Sequence, residues 1–280
     1  MLIKEAFKIA QQQLQLNSPT PSLDAKLLLC KALSVNHEQL ILLLDNPFPE
    51  NKLSIFRQFI ERRIKSEPIA YIIGKQEFYG LDFLVNQHVL IPRPETEMII
   101  DLVIDLLRDT PGANILDLGT GSGIIPICLA KNLPDCKKII ATDISTEALK
   151  IASENALIHN VSDKITFLQS DWFENINLQK FDIITSNPPY ISREEVKIVS
   201  HSANFYEPHL ALYAKCDGLE NYYVIAAKAA QYLKKGGKII LEIGYKQAKQ
   251  VTEIFMSADF HDIKLIEDYS GHPRNLIISY

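Results

Sequence analysis

Asn187-Pro188-Pro189-Tyr190 directly follows the apolar run Phe181–Ser186, at the end of a predicted strand. Two prolines fix two φ angles and remove two N–H donors, and Pro188 biases Asn187 toward extended backbone. The Asn187 carboxamide and the local carbonyls therefore form an array rich in acceptors. An –NH2 group brings two donors and fits such an array, so the reacting group is expected to be an amide or amine. Tyr190 supplies a flat wall for a planar amide or base. Asn-Pro also begins turns in many proteins, and that plain reading stands beside the chemical one.

Some seventy residues earlier, Asn114–Leu118 leads into a turn holding Gly119, Thr120, Gly121, Ser122 and Gly123, after which the apolar stretch Ile124–Leu129 begins. The order is strand, glycine turn, helix start. Glycine is needed where φ is positive or where backbone must approach a ligand, and the first N–H groups of a helix suit a polar or anionic partner. The dinucleotide fingerprint G-x-G-x-x-G breaks here, because Ile124 stands at its third glycine. Asp143 closes the next apolar run, at the distance where an acidic residue usually holds ribose hydroxyls. A nucleoside cofactor follows, and the spacing leaves open whether it carries a pyrophosphate or a sulfonium.

The joint pattern resembles the class I S-adenosylmethionine-dependent methyltransferases that act on nitrogen. The whole chain is similar to the PrmC (HemK) family, the glutamine methyltransferases of peptide-chain release factors. Further marks of that family are Phe78-Tyr79-Gly80, Leu90-Ile91-Pro92-Arg93-Pro94-Glu95-Thr96-Glu97 and Asp268-Tyr269-Ser270-Gly271-His272-Pro273-Arg274. The resemblance implies a Rossmann-like α/β domain with a mostly parallel seven-stranded sheet, preceded by a small helical domain. It implies S-adenosylmethionine bound at Gly119 to Gly123, Asp143 and Asn187, with Trp172 flanking the adenine rather than only packing in the core. Catalysis would fall to Asn187, Pro188, Pro189 and Tyr190. The implied substrate is the glutamine of the Gly-Gly-Gln motif in class 1 release factors, methylated on N5. Asn-Pro-Pro-Tyr is shared with nucleic-acid methyltransferases, so adenine-N6 or guanine-N2 methylation is the alternative.

A net charge of −5 in 280 residues argues against a partner held by many phosphate contacts, so no direct nucleic acid is expected. Cys30, Cys128, Cys136 and Cys216 form no C-x-x-C pair and read as reduced thiols, with no metal site expected. No signal segment or long apolar run is legible, which predicts a cytoplasmic protein without a membrane partner.

Apolar residues at spacings of three and four over Leu2–Lys65 predict four or five helices. The expected organisation is a helical substrate-binding domain over 1–68, a β-hairpin linker over 69–92 and the methyltransferase domain over 93–280. The hairpin is expected from Tyr71 to Val85. Beyond it, a helix over 95–108 precedes strands near 114–119, 138–143, 164–169, 181–186 and 237–243. These alternate with helices near 124–132, 145–159, 218–234 and 246–257, the pattern of a parallel sheet covered on both faces. Ile263–Glu267 and Asn275–Ser279 are joined too closely for a crossover and should pair antiparallel at one edge. Arg57, Arg62, Arg63 and Lys65 make either a solvated face or a patch for an acidic partner. Arg93, Glu95 and Glu97 either shape the cofactor pocket, or Arg93 and Glu97 lock the linker to the core by ion pairing.

Overall fold

The computed structural model describes residues 1–197 and 201–280. Contacts divide them into a helical unit, Met1–Lys75 joined by the helix His201–Tyr206, and a larger unit built on a sheet.

In the helical unit, Ile3–Leu14 buries Ile3, Ala6, Ala10 and Leu14, a stripe spaced by three and four. Pro21 opens Pro21–Leu33 at its first turn, where a missing N–H costs nothing. Asn36 caps His37–Leu43 by accepting from the Gln39 N–H. The helix Glu50–Ile64 completes the packing around Leu28, Leu29, Phe56 and Ile60. The run Tyr71-Ile72-Ile73, expected to open the hairpin, is instead part of the short helix Ile69–Ile73. Pro68 starts it, Gly74 ends it at φ 83°, and Ile72 joins the apolar core of this unit. The hairpin therefore begins only at Lys75, with β1 (Lys75–Phe78) and β2 (Leu81–Leu84).

Two of the four clustered cations are neutralised inside the helical unit. Arg62 meets Glu67 with Nε at 2.8 Å from one carboxylate oxygen and a terminal nitrogen at 2.5 Å from the other. Arg63 donates to the buried Asp24 at 2.6 Å, and Asp24 also accepts from the hydroxyls of Ser18 and Thr20. The helix His201–Tyr206 joins this unit through Ser202 Oγ to the Ser66 carbonyl, 2.7 Å, and Tyr206 OH to the Lys65 carbonyl, 2.9 Å.

The sheet runs β5-β4-β3-β6-β7-β9-β8, with β3 Asn114–Leu118, β4 Lys138–Asp143, β5 Ile165–Gln169, β6 Phe181–Ser186, β7 Leu233–Glu242, β8 Asp262–Glu267 and β9 Pro273–Ser279. The first five are parallel, and β9 pairs antiparallel with both β7 and β8. Side chains alternate between faces. Leu116, Leu118, Ile140 and Ile184 pack on one side with the helices Glu220–Ala229 and Ala248–Met256. Ile115, Ile139, Ala141 and Ile183 pack on the other with Glu97–Leu107, Ile124–Asn132 and Thr146–Ile158. The chain moves from β3 outward to β5, then returns to lay β6 against the free side of β3. That reversal opens a crevice beyond the carboxyl ends of β3 and β6, the usual ligand position in such sheets.

Asp24 and Arg63 form a pair that is nearly buried, with side-chain exposures of 6% and 10%. Removing one member of such a pair strands the other charge at a cost of about 3–5 kcal/mol. Asp24→Ala is expected to lower the stability of the helical unit by about 3 kcal/mol, measured by urea unfolding of the full chain followed by circular dichroism.

Candidate active site

The glycine turn leaves β3 with Gly119, Gly121 and Gly123 at φ of 72°, 55° and 82°. Other residues strain in this region, which explains the spacing. At Gly119 and Gly121 a Cβ would meet nothing within 4 Å, so the turn faces open space there. Gly123 serves packing, since a Cβ would lie 3.0 Å from that of Ala152. The Gly121 N–H donates to Asp143 Oδ2 at 2.9 Å, and Asp143 Oδ1 accepts from the Ser145 N–H at 2.9 Å. The acidic residue ending β4 is thereby held against the turn ending β3. Burial raises its carboxyl above the ordinary range, against these N–H groups.

Asp117, one residue before the end of β3, has no exposed surface. Its Oδ1 accepts from Thr185 Oγ1 on β6 at 2.7 Å, while its Oδ2 and the buried Thr120 Oγ1 have no well-formed hydrogen bond among the described residues. Burial pushes the Asp117 carboxyl up to about 6. Trp172 follows β5 with φ 49° and packs partly on the core beside Leu168.

Asn187-Pro188-Pro189-Tyr190 leaves β6 beside the glycine turn, as the pairing of Leu118 with Ser186 requires. Two of its carbonyls are already engaged. Pro189 O accepts from Asn221 Nδ2 at 2.7 Å, and Tyr190 O accepts from Gln247 Nε2 at 2.9 Å. Gln247 also accepts from the Gly244 N–H, so it is fixed at both ends of its amide. Behind the loop, Gly218 (φ 84°) leaves no room for a Cβ against the Tyr190 carbonyl.

Asn187 Nδ2 lies 3.1 Å from Thr96 Oγ1, and Thr96 Oγ1 lies 2.6 Å from Glu242 Oε2. Thr96 and Glu242 are each 1% exposed. Tyr190 OH points at the other Glu242 oxygen from 3.4 Å. Burial pushes the Glu242 carboxyl up to about 7, opposed by the Thr96 hydroxyl and by Arg274. Among the described residues, neither Asn187 Oδ1 nor the Pro188 carbonyl has a protein partner.

The other sequence marks buttress this loop. Tyr79 and Gly80, at φ 53° and 73°, make the tight turn between β1 and β2. The Tyr79 N–H donates to Glu97 at 2.8 Å and its hydroxyl donates to Asp101 at 2.7 Å, which fastens the turn to the helix carrying Thr96 at its start. Arg93 pairs at 2.6 Å with the buried Glu207, which also accepts from the Ile91 N–H. Arg93 makes the ion pair that the locking reading requires, whereas Glu97 makes a hydrogen bond to backbone instead of an ion pair. Asp268 Oδ1 accepts from the N–H groups of Ser270 and His272, shaping the loop that delivers Arg274.

Sequence reading did not single out Glu242, Glu207, Gln247, Asn221 or Asn155. Glu242 carried one usable signal, a charge closing the apolar run Ile239-Ile240-Leu241 at the carboxyl end of a strand. Asn155, fully buried, bridges the turn to the hairpin: its Oδ1 accepts from the Leu84 N–H, and its Nδ2 donates to the carbonyls of Leu84 and Ser122.

Residues 5–74 match the family model of the PrmC N-terminal domain, and residues 98–207 match that of the methyltransferase small domain. A release factor glutamine methyltransferase of Aliivibrio fischeri is 36% identical over 275 residues, covering 97% of this chain and 95% of that protein. A bifunctional methyltransferase of Rickettsia typhi is 43% identical over 296 residues, covering 99% of this chain but 57% of the relative. This chain thus spans little more than half the length of that relative. A solved methyltransferase of Pyrococcus furiosus shares the fold at 22% identity with a TM-score of 0.52, over 80% of this chain and 97% of that one. Among the described residues, no helix is long and apolar enough to cross a membrane.

Replacing Asn155 with Ala removes three hydrogen bonds and leaves buried backbone groups unpaired, at about 1–3 kcal/mol for each such group. We expect Asn155→Ala to lower the unfolding midpoint of the sheet unit by several degrees in calorimetry.

Proposed function

Because this chain belongs to the release factor glutamine methyltransferase family, we propose that it methylates N5 of the glutamine in the Gly-Gly-Gln motif of class 1 peptide-chain release factors. The reaction takes place in the cytoplasm with S-adenosylmethionine as methyl donor. The observation that carries this reading is the pair of acceptors left over at the loop after β6. Pro189 and Tyr190 have their carbonyls occupied, while Asn187 Oδ1 and the Pro188 carbonyl do not, among the described residues. Two adjacent acceptors match the two N–H bonds of a primary amide.

The residues around the glycine turn fit the cofactor. Asp117 Oδ2 has the Thr120 hydroxyl for a neighbour but no well-formed hydrogen bond, and Asp117 and Asp143 suit a ligand that brings cationic and hydroxyl donors. Open space at Gly119 and Gly121 lets backbone approach it closely. When bound, S-adenosylmethionine supplies an electrophilic methyl carried on a sulfonium. Thr120, Ser122 and Gly123 would set the turn around it, Asp143 would hold its ribose hydroxyls, and Trp172 would flank its adenine.

An amide nitrogen is a weak nucleophile because its lone pair is delocalised into the carbonyl. Asn187 Oδ1 and the Pro188 carbonyl grip its two N–H bonds, aim the nitrogen and stabilise positive charge as that charge develops. With the donor bound, the nitrogen would gain the methyl as the sulfonium loses it, and one N–H proton, made acidic by methylation, would be lost to solvent once the product leaves the cradle. Pro189 stiffens the loop, and Tyr190 lies against the amide plane and excludes water. A net charge of −5 favours a protein substrate over a nucleic acid.

Incubating the enzyme and cofactor with a release factor is expected to add one methyl to the Gly-Gly-Gln peptide, read by mass spectrometry. DNA and ribosomal RNA arms are expected to stay unmodified. Asn187→Ala should leave cofactor binding largely intact and lose on the order of 10²–10³ in transfer rate. A release factor left unmethylated by the wild-type chain overturns the assignment.

A further inference from the structure

A carboxamide is nearly symmetric in shape, and turned over it would present NH2 rather than oxygen to the substrate. An –NH2 facing a substrate –NH2 offers donors to donors. Catalysis at the loop after β6 therefore requires something that fixes which end of Asn187 faces outward.

Thr96 supplies it through proton counting. Its hydroxyl has one proton. At 2.6 Å from Glu242 Oε2, that proton points at Glu242 whenever the carboxyl is ionised, because a carboxylate can only accept. What Thr96 turns toward Asn187, 3.1 Å away, is then a lone pair. Only the NH2 end of Asn187 can meet a lone pair, so Oδ1 is directed away from Thr96.

We propose that Glu242 is a positioning residue whose carboxylate sets the direction of the Glu242–Thr96–Asn187 hydrogen-bond chain, so that Asn187 presents its oxygen to the amide being methylated. This rests on the functional reading above for the identity of the substrate, but its geometry does not. Protonating Glu242 on Oε2, the oxygen facing Thr96, reverses the chain. The carboxylic acid donates to Thr96 Oγ1, the Thr96 proton is released toward Asn187, and the carboxamide turns its oxygen inward.

The pH at which this occurs depends on every charged or titratable group facing the carboxyl. These are Glu95 on the turn before the helix Glu97–Leu107, Tyr190 on the loop after β6, Tyr222 on the helix Glu220–Ala229 and Arg274 on β9, with Arg93 acting on Tyr190. Burial dominates and raises the Glu242 carboxyl to about 7, so the carboxylate prevails above that value and the acid below it. Transfer should accordingly rise with pH through this window.

The test uses the full chain with cofactor and release factor. Wild-type kcat is expected to fall as pH drops below about 7, whereas Glu242→Gln, which cannot titrate, should lack that acid limb. Thr96→Val, close in shape but unable to relay, should lose about 10²-fold in kcat with KM little changed, as expected of a misdirected catalytic group. Thr96→Ser should restore most of it. A wild-type profile flat through this window, an acid limb surviving in Glu242→Gln, or full kcat in Thr96→Val overturns the inference. A second readout needs no turnover. In isotopically labelled protein, the Asn187 side-chain amide signals should shift with the same midpoint as the Glu242 carboxyl carbon, and should not shift in Glu242→Gln. Asn187 signals indifferent to that titration overturn the proposal whatever the substrate is, while methyl transfer failing on every release factor speaks only against the functional reading.

Discussion

A carboxylate buried at the carboxyl end of an apolar strand is the constraint around which the sheet unit is organised. An ionised group taken out of water is costly unless hydrogen bonds and opposite charge replace its hydration. Glu242 meets that cost with partners from three separate stretches of chain: the Thr96 hydroxyl, the Tyr190 hydroxyl and the charge of Arg274. Each belongs to a different sequence mark. Thr96 lies in the segment entering the sheet unit, Tyr190 in the loop after β6, and Arg274 at the start of β9. Those marks look unrelated along the chain, yet one buried group ties them together.

The strand order makes this convergence possible. Reversal of direction between β3 and β6 places the glycine turn and the Asn187 loop side by side, and β7 lies next along the sheet. Parallel neighbours end in register, so Leu118, Ser186 and Leu241 share one level, and Glu242 is one residue beyond it. Thr185 donating to Asp117 and Ser186 donating to the Leu118 carbonyl stitch β6 to β3 just below the crevice. The two halves of the site thus have a common rigid floor. One half offers the carboxylates Asp117 and Asp143, and the other offers neutral carbonyl-type oxygens, a difference suited to holding a cation beside a neutral amide.

Local pattern made the scaffold legible. Alternating apolar runs and glycine or proline breaks located the strands of the parallel core to within a few residues, because the central strands are covered on both faces and carry mostly apolar residues. The short helix at Tyr71 escaped this logic, since a brief apolar run has no period of its own and Pro68 and Gly74 decided its form. The site was only half legible. The glycines announce themselves because their backbone takes positive φ, Asn187 because two prolines follow it, and Asp143 because it closes an apolar run. Thr96 and Glu242 are 146 positions apart, and Arg93 and Glu207 are 114 apart, so no window along the chain relates them. The helix His201–Tyr206 belongs to the helical unit for the same nonlocal reason: its ties to Lys65 and Ser66 span more than a hundred residues.

The double proline has a further consequence for selectivity on the proposed reading. Lacking N–H groups, Pro188 and Pro189 cannot close the loop on itself, so its carbonyls must find donors elsewhere. Asn221 and Gln247 satisfy two of them, and what remains is a pair of acceptors, Asn187 Oδ1 and the Pro188 carbonyl, with no protein donor among the described residues. A hydroxyl entering there brings one proton and leaves one acceptor desolvated and unpaired, at about 1–3 kcal/mol. A secondary amide, already methylated once, also brings one N–H and meets the same deficit. The cradle therefore favours an unmodified primary amide over both, and binds the product of its own reaction less well than the substrate.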